Sequence, residues 1–393
     1  MQVADRLLKT PPYPFTELAR LKREALANGV DLIDFGIGDP DQPTPQFVVE
    51  ALKKAVDNTA YHQYDETGLG LPALRTEIAK WYKKRFGVDI DADTEVLRLI
   101  GSKEGIAHLS LAILNPGDIA LIPDPSYPVY KISTLFSGAE SYFMPMSEKN
   151  GWTPNFDDIP AEVAQNAKMM WLCYPNMPTG GTVELSFLEK AVAFAKANDI
   201  LIAMDMAYDE IYYEGDYLPP SILQVDGGKD VAIEFHSFSK PFNMTGWRLG
   251  WCVGNADAIA ALNKMKSNVD SGAFLAIQEA GVAALQADSK GYFDNLRKMY
   301  TTRRDLLIDG LLEAGWKVER PKAAFYVWAN VSAGMTSAEC AGKLLSECGI
   351  LVTPGSAYGA CGEGYVRFAL TIQGKNQEDK IREAVKRIKN NFK

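Results

Sequence analysis

Lys240 closes the largely apolar stretch "AIEFHSFSK" (232–240), and Arg248 follows in "PFNMTGWRLG" (241–250). Stripping water from an ammonium is costly unless the charge is paired or neutralised, so a lysine at the end of a buried strand needs a reason to be there. Four further polar or glycine-containing segments end other apolar runs: "GSKEG" (101–105), "DPSYP" (124–128), "YPNMPTG" (174–180) and "DMAYDE" (205–210). After "GSKEG", Ile106, Leu109 and Ile113 keep helical spacing. Free amides and the Ser102 hydroxyl at that helix start suit a phosphate, unless Ser102 is a simple cap. Ser237 and Arg248, flanking Lys240, would close the same cup. Asp205 ends "ILIAMD" and needs a cationic or donor partner. It either caps the next segment or holds a proton on a heteroaromatic ring nitrogen, making that ring an electron sink. Tyr208, three residues on, offers a phenol to an oxygen of such a ring.

The elements that must position these groups are legible as alternating apolar runs and helix-length segments between residues 45 and 285. Candidate strands are 95–101, 119–125, 141–146, 169–175, 200–208, 232–239 and 249–255. Crossover segments such as "ELSFLEKAVAFAKAND" favour an α/β domain with a mainly parallel sheet covered on both faces; the short loop before 249–255 favours an antiparallel last strand. From about residue 286, "YFDNLRKMYTTRRDLLIDGLLEAG", "KAAFYVWANV" and "YVRFAL" read as a smaller α+β lobe. In open α/β sheets, ligands gather beyond the carboxyl ends of the strands, so the five exits point to one site. The 393 residues, 47% hydrophobic and 23% charged, describe an ordinary globular protein, and the net charge of −9 speaks against a nucleic-acid partner. Five cysteines without a C-x-x-C pair indicate neither a disulfide framework nor zinc, and fit a reducing compartment. The N-terminus lacks a signal-peptide core and no apolar run is long enough to span a bilayer, so a cytoplasmic, membrane-free protein is expected. The histidines at 62, 108 and 236 lack ligand spacing, so no metal is expected; His236 reads as a hydrogen-bonded core residue.

Five motifs, "FGIGDPD", "YPNMPTG", "DMAYDEIYY", "SFSKPFNMTGWRLG" and "YVRFAL", in this order and at these separations, resemble the class I/II aminotransferases, pyridoxal-phosphate enzymes of fold type I. The resemblance covers nearly the whole chain. It implies a seven-stranded, mainly parallel sheet in a large cofactor-binding domain (45–285), with an N-terminal segment (1–44) joining a small C-terminal domain (286–393). It also implies a homodimer with shared active sites. Lys240 would form a Schiff base with the aldehyde of pyridoxal 5'-phosphate; once released by an amino acid substrate, it would carry the Cα proton, leaving a 2-oxo acid and pyridoxamine phosphate. Gly101, Ser102 and Lys103 match the phosphate-binding turn, and Tyr127 the ring stacked on the cofactor, its alternative being a core aromatic. Asp205, Tyr208, Ser237 and Arg248 match the pyridine-nitrogen, ring-oxygen and phosphate ligands. Arg367 matches the arginine that grips the substrate α-carboxylate, and Gly38 a loop that approaches the substrate. Tyr64 resembles the tyrosine that reaches the neighbouring subunit's phosphate, with a spacing to "LPALR" one residue longer than usual.

One position departs from the family pattern. Met177 stands where an asparagine usually donates to the ring oxygen, and a thioether cannot donate. Tyr208 would then carry that contact alone, or Asn176 or a water would substitute. The glycine-rich "GIG" (36–38) and "GLGLPALR" (68–75) lack the strand–helix frame of a dinucleotide site and read as turns. Transamination leads because the motif set includes Arg367; a β-lyase of the same fold and a ligand-sensing protein without catalysis are the alternatives. "FNMTGWRLGW" and "KSNVDSGAF" resemble the LL-diaminopimelate aminotransferase branch, but Leu275 replaces an asparagine found in some members. LL-diaminopimelate, aspartate, alanine and aromatic donors therefore stay open.

Overall fold

The computed structural model describes residues 2–65, 67–213, 215, 217–286, 291–332 and 334–392. Twelve strands appear among them: β1 (Ile33–Asp34), β2 (Val96–Leu99), β3 (Ile119–Asp124), β4 (Glu140–Pro145), β5 (Ala167–Cys173), β6 (Leu201–Asp205), β7 (Ala232–Ser237), β8 (Gly250–Gly254), β9 (Tyr326–Asn330), β10 (Ile350–Leu351), β11 (Thr353–Pro354) and β12 (Tyr365–Ala369). All seven expected strands enter one sheet of order β2-β8-β7-β6-β5-β3-β4. The central strands β5, β6 and β7 are buried almost throughout; β6 accordingly reads as an unbroken apolar run up to Asp205, while β7 carries the buried Glu234 and His236. The helix Leu185–Asn198 links the parallel neighbours β5 and β6. The segment between β7 and β8 is too short for a crossover, and β8 runs antiparallel to both β7 and β2, as expected.

One boundary differs from the sequence reading. The run expected to continue to residue 208 leaves the sheet at Asp205, because the Asp205 carboxylate accepts the Ala207 N–H at 3.2 Å and the chain turns. The turn is held by the Met206 N–H donating to Phe235 O of β7 and by the Asp209 N–H donating to Met206 O.

Outside the large sheet, β9, β11 and β12 form an antiparallel sheet, and β1 pairs in parallel with β10. Residues near the start of the chain are thus tied to its last third: the Phe35 N–H donates to Leu351 O, and the Ala369 N–H to Phe35 O, at 2.8 Å each. This pairing carries the Gly36–Asp39 loop to the mouth formed by the exits of β6 and β7. Among the described residues, no helix is long and apolar enough to cross a membrane. All five cysteines are free, four of them buried.

Candidate active site

The strand exits converge on a cavity of about 500 Å³. Its floor is the end of the large sheet. Asp205 is 6% exposed; its Oδ2 accepts the Tyr130 hydroxyl at 2.7 Å and its Oδ1 the Ala207 N–H. Burial pushes the Asp205 carboxyl above its ordinary value, and these two donors together with the charge of His236 oppose the rise. A buried carboxylate facing a cavity, with no cation in direct contact among the described residues, suits a ligand that brings its own protonated nitrogen. Tyr208 also lines the cavity, and its hydroxyl lies 2.7 Å from that of Tyr326.

Ser102 starts the helix Ser102–Ile113, so its first amides have no partner within the helix. Gly101 caps it at φ 75°, a left-handed backbone that favours glycine, and a Cβ there would strike the Arg248 guanidinium. Arg248 bonds to the carbonyls of Thr245 (2.9 Å) and Ile100 (3.4 Å) and to no carboxylate among the described residues. Ser237 and Lys103 line the same wall, with Lys103 Nζ 3.2 Å from the Tyr13 hydroxyl. Helix-start amides, a hydroxyl and a guanidinium lacking a counter-charge match the donor set a phosphate needs. Tyr127, half-buried, caps the helix Pro128–Ser137 and faces the cavity.

Lys240 reaches across to the opposite side: its Nζ donates to Gly38 O at 2.9 Å and lies 3.4 Å from an oxygen of Asp39. Burial lowers the ammonium's pKa; Asp39 resists this, while Arg367 and Arg248 add to it. Gly38 is needed for close approach, since a Cβ there would sit 2.5 Å from the Tyr326 hydroxyl. Arg367 is 1% exposed, donates to Gly36 O at 2.7 Å, and lies over the rings of Tyr326 (4.4 Å), Tyr358 (5.0 Å) and Phe15 (5.6 Å). Its Nε has no partner and no carboxylate pairs with it among the described residues. A guanidinium held by aromatic faces and a carbonyl, with donor capacity to spare, is prepared for an incoming carboxylate.

Ten of the twelve residues singled out in the sequence line this cavity, and Gly101 supports it through Arg248. Tyr64 does not reach it. Its side chain is 80% exposed in a surface groove beside His62, Asp65, Ser271 and Phe274. Met177 lines the cavity, but Asn176 does not: its amide donates to Cys173 O (3.1 Å), and its oxygen accepts from Thr179 N–H (3.2 Å) and Oγ1 (2.8 Å). Asn176 is consumed by the turn and cannot replace the missing donor. His108 lies 3.3 Å from Glu104, near Asp270, with the Lys266 ammonium paired to both acids, so a lysine supplies the positive charge of that group.

The sequence reading missed Tyr13, Phe15, Asp39, Tyr326 and Tyr130. Asp39 lay inside the quoted "FGIGDPD", and Tyr130 follows Tyr127 at the i+3 spacing that shares a helix face. Tyr13, Phe15 and Tyr326 carried no local signal, because each looks like a packing aromatic until the fold brings it to the mouth.

Comparison with known proteins shows the family. The chain is 50% identical over 386 residues to the LL-diaminopimelate aminotransferase of Syntrophobacter fumaroxidans, covering 98% of each chain. It is 50% identical over 389 residues to that of Moorella thermoacetica, covering 99% of this chain and 98% of the relative. Among solved structures, substrate-bound BacF from Bacillus subtilis superposes with a TM-score of 0.94 at 38% identity, covering 99% of this chain and 98% of that one. A single mutant of Thermus thermophilus aspartate aminotransferase gives 0.91 at 27% identity, covering 99% of both. The family model described as aminotransferase class I and II matches residues 30–388, and the chain belongs to that family, with its mostly parallel α/β fold.

Proposed function

We propose that this aminotransferase uses pyridoxal 5'-phosphate and takes LL-diaminopimelate as amino donor, with a 2-oxo acid as acceptor. The observation that carries the reading is the pairing, in one cavity, of a half-buried lysine of lowered pKa with a buried guanidinium that has no counter-charge among the described residues. The cofactor, when bound, supplies the carbonyl that takes up an amino group and an electron-deficient ring beside the reacting carbon. Arg367 grips the α-carboxylate of the donor as a bidentate partner and so orients Cα toward Lys240. Lys240, its ammonium destabilised by burial, gives up its proton readily and serves as the base at Cα. With the cofactor bound, Asp205 would hold the proton of the ring nitrogen, Arg248, Ser237 and the amides at Gly101–Lys103 would hold the phosphate, and Tyr127 and Tyr208 would contact the ring and its oxygen.

The substrate rests on the relatives named for it, about 50% identical over nearly the whole chain. We assign residues 45–285 to the cofactor-holding domain and 1–44 with 286–393 to the smaller one. The exposed Tyr64 fits a homodimer in which that residue serves the neighbouring site. Free cysteines fit a cytoplasmic setting. A panel of amino donors against 2-oxoglutarate tests the reading. LL-diaminopimelate should give the highest kcat/KM; preference for aspartate or alanine overturns the substrate assignment, and release of pyruvate and ammonia overturns transamination.

A further inference from the structure

A buried polar network that the proposed chemistry does not use lies behind the sheet. His236 of β7, fully buried, stacks on Trp251 of β8 at 5.1 Å with planes 7° apart. Its Nδ1 lies 2.8 Å from Asp209 Oδ2. Its Nε2 bonds the Tyr82 oxygen from the helix Pro72–Phe86 and lies 3.6 Å from Glu234 Oε2. Glu234 in turn accepts the Tyr82 hydroxyl, the Ser221 hydroxyl at 2.9 Å and the Ile222 N–H at 2.7 Å.

The donors can be counted. Glu234 accepts the Tyr82 proton, so the Tyr82 oxygen is left to accept from Nε2–H. Asp209 can accept from Nδ1–H. With both carboxylates ionised, both ring nitrogens donate, as an imidazolium does. Burial alone would lower the imidazole's pKa, but the hydrogen bond and charge of Asp209, joined by those of Glu234, carry it up to about 9. The charged or titratable groups facing the ring are Asp209 from the β6 exit, Glu234 from β7 and Tyr82 from the helix. Asp205 lies farther off on the neighbouring strand, where the positive charge favours its ionised form.

The place of this network in the chain gives it a role. Asp209 follows Tyr208 directly and ends the turn begun by Asp205, while His236 precedes Ser237 and stands four residues before Lys240. We propose that His236 is a positioning residue: by bridging Asp209 to the Tyr82–Glu234 pair, it fastens the 205–209 turn to β7 from behind the sheet. The bridge fixes the spacing between Asp205 and Tyr208 on one exit and Ser237 and Lys240 on the other. This rests on the cofactor reading above.

His236→Gln and Asp209→Asn each remove one end of the bridge. Equilibrium dialysis of pyridoxal phosphate against the folded variants should show binding weakened about tenfold, the scale on which outer-shell partners act. In His236→Gln the pH midpoint of the loaded protein's visible absorbance should also move upward, since a positive charge behind the cup is lost; Asp209→Asn, which removes a negative charge, is read by binding alone. Wild-type affinity and an unmoved midpoint in a folded variant overturn the positioning role alone. A wild-type chain that binds no pyridoxal phosphate overturns the cofactor reading with it. If neither variant folds, nitrogen-15 NMR of histidine-labelled wild-type protein decides: both ring nitrogens protonated near neutral pH is the expected result, and a neutral His236 overturns the proposal.

Discussion

Arg367 shows how one residue's surroundings set its task. Several buried arginines of this chain meet a carboxylate, as Arg303 meets Asp41 at 2.7 Å and Arg297 meets Glu210 at 2.6 Å; Arg367 meets aromatic faces and a carbonyl. Replacing it by lysine keeps the charge but removes the planar fork, so Arg367→Lys should raise KM for the amino donor by roughly 10- to 100-fold, the loss of one charge-assisted bond of about 1.5–3 kcal/mol. Steady-state kinetics checks this, and an unchanged KM would place the α-carboxylate elsewhere. Met177 poses a complementary case. It lines the cavity without a donor, and the turn consumes Asn176, so in the proposed cofactor site Tyr208 or a water would bond the ring oxygen. Met177→Asn should therefore lower the pH midpoint of the visible absorbance of the cofactor-loaded protein relative to wild type; superimposable titrations would defeat the idea. At this scale the sequence is informative where a polar residue interrupts an apolar run, as at Asp205 and Lys240, because burial without a partner is costly wherever it occurs. It is silent on Tyr326 and Phe15, whose packing against Arg367 depends on contacts between distant segments.

At the scale of elements, apolar runs and helix-length spacers predict the seven strands of the large sheet, whereas the order β2-β8-β7-β6-β5-β3-β4 depends on where each crossover returns and leaves no local trace. The early end of β6 has the same origin: a carboxylate that captures the N–H two residues on outweighs the strand propensity of residues 206–208. Cohesion between elements also has a pH signature. His236 joins β7, the β6 exit and the helix Pro72–Phe86, and its folded pKa of about 9 stands above the ordinary 6.5. A group whose pKa is raised on folding stabilises fully below the unfolded value and loses that contribution as pH rises through the folded one. Cofactor-free protein should thus lose stability from pH 6.5 through about 9, by at most about 1.4 kcal/mol per pH unit from this group. Lys266, lowered to about 8 chiefly by burial, and Lys240, lowered in the same way, act in the opposite sense. The difference in urea unfolding free energy between wild type and His236→Gln cancels both lysines. That difference should shrink as pH rises; a difference constant across the window would mean that the imidazole is not charged in the folded chain.

For the molecule as a whole, the position of Tyr64 is the decisive fact. A large aromatic residue left 80% exposed, beside the half-exposed Phe274 in a groove of about 250 Å³, is free to reach into a second copy, as the proposed homodimer needs. Shared sites have a consequence that intact sites confined to one chain do not. In a homodimer where Tyr64 serves the partner's phosphate, the variants Lys240→Ala and Tyr64→Ala damage the same site from opposite subunits. A mixed dimer holds one site with both lesions and one with neither. Equal amounts of the two variants, dissociated and reassociated, should place half of all chains in mixed dimers and so restore about a quarter of wild-type sites. The increase should be visible against each variant alone and should depend on reassociation, since simple mixing without exchange leaves every dimer defective. Gel filtration at the dimer mass with no recovered activity would show that Tyr64 acts within its own chain or not at all, whereas recovery near a quarter would locate each site across two subunits.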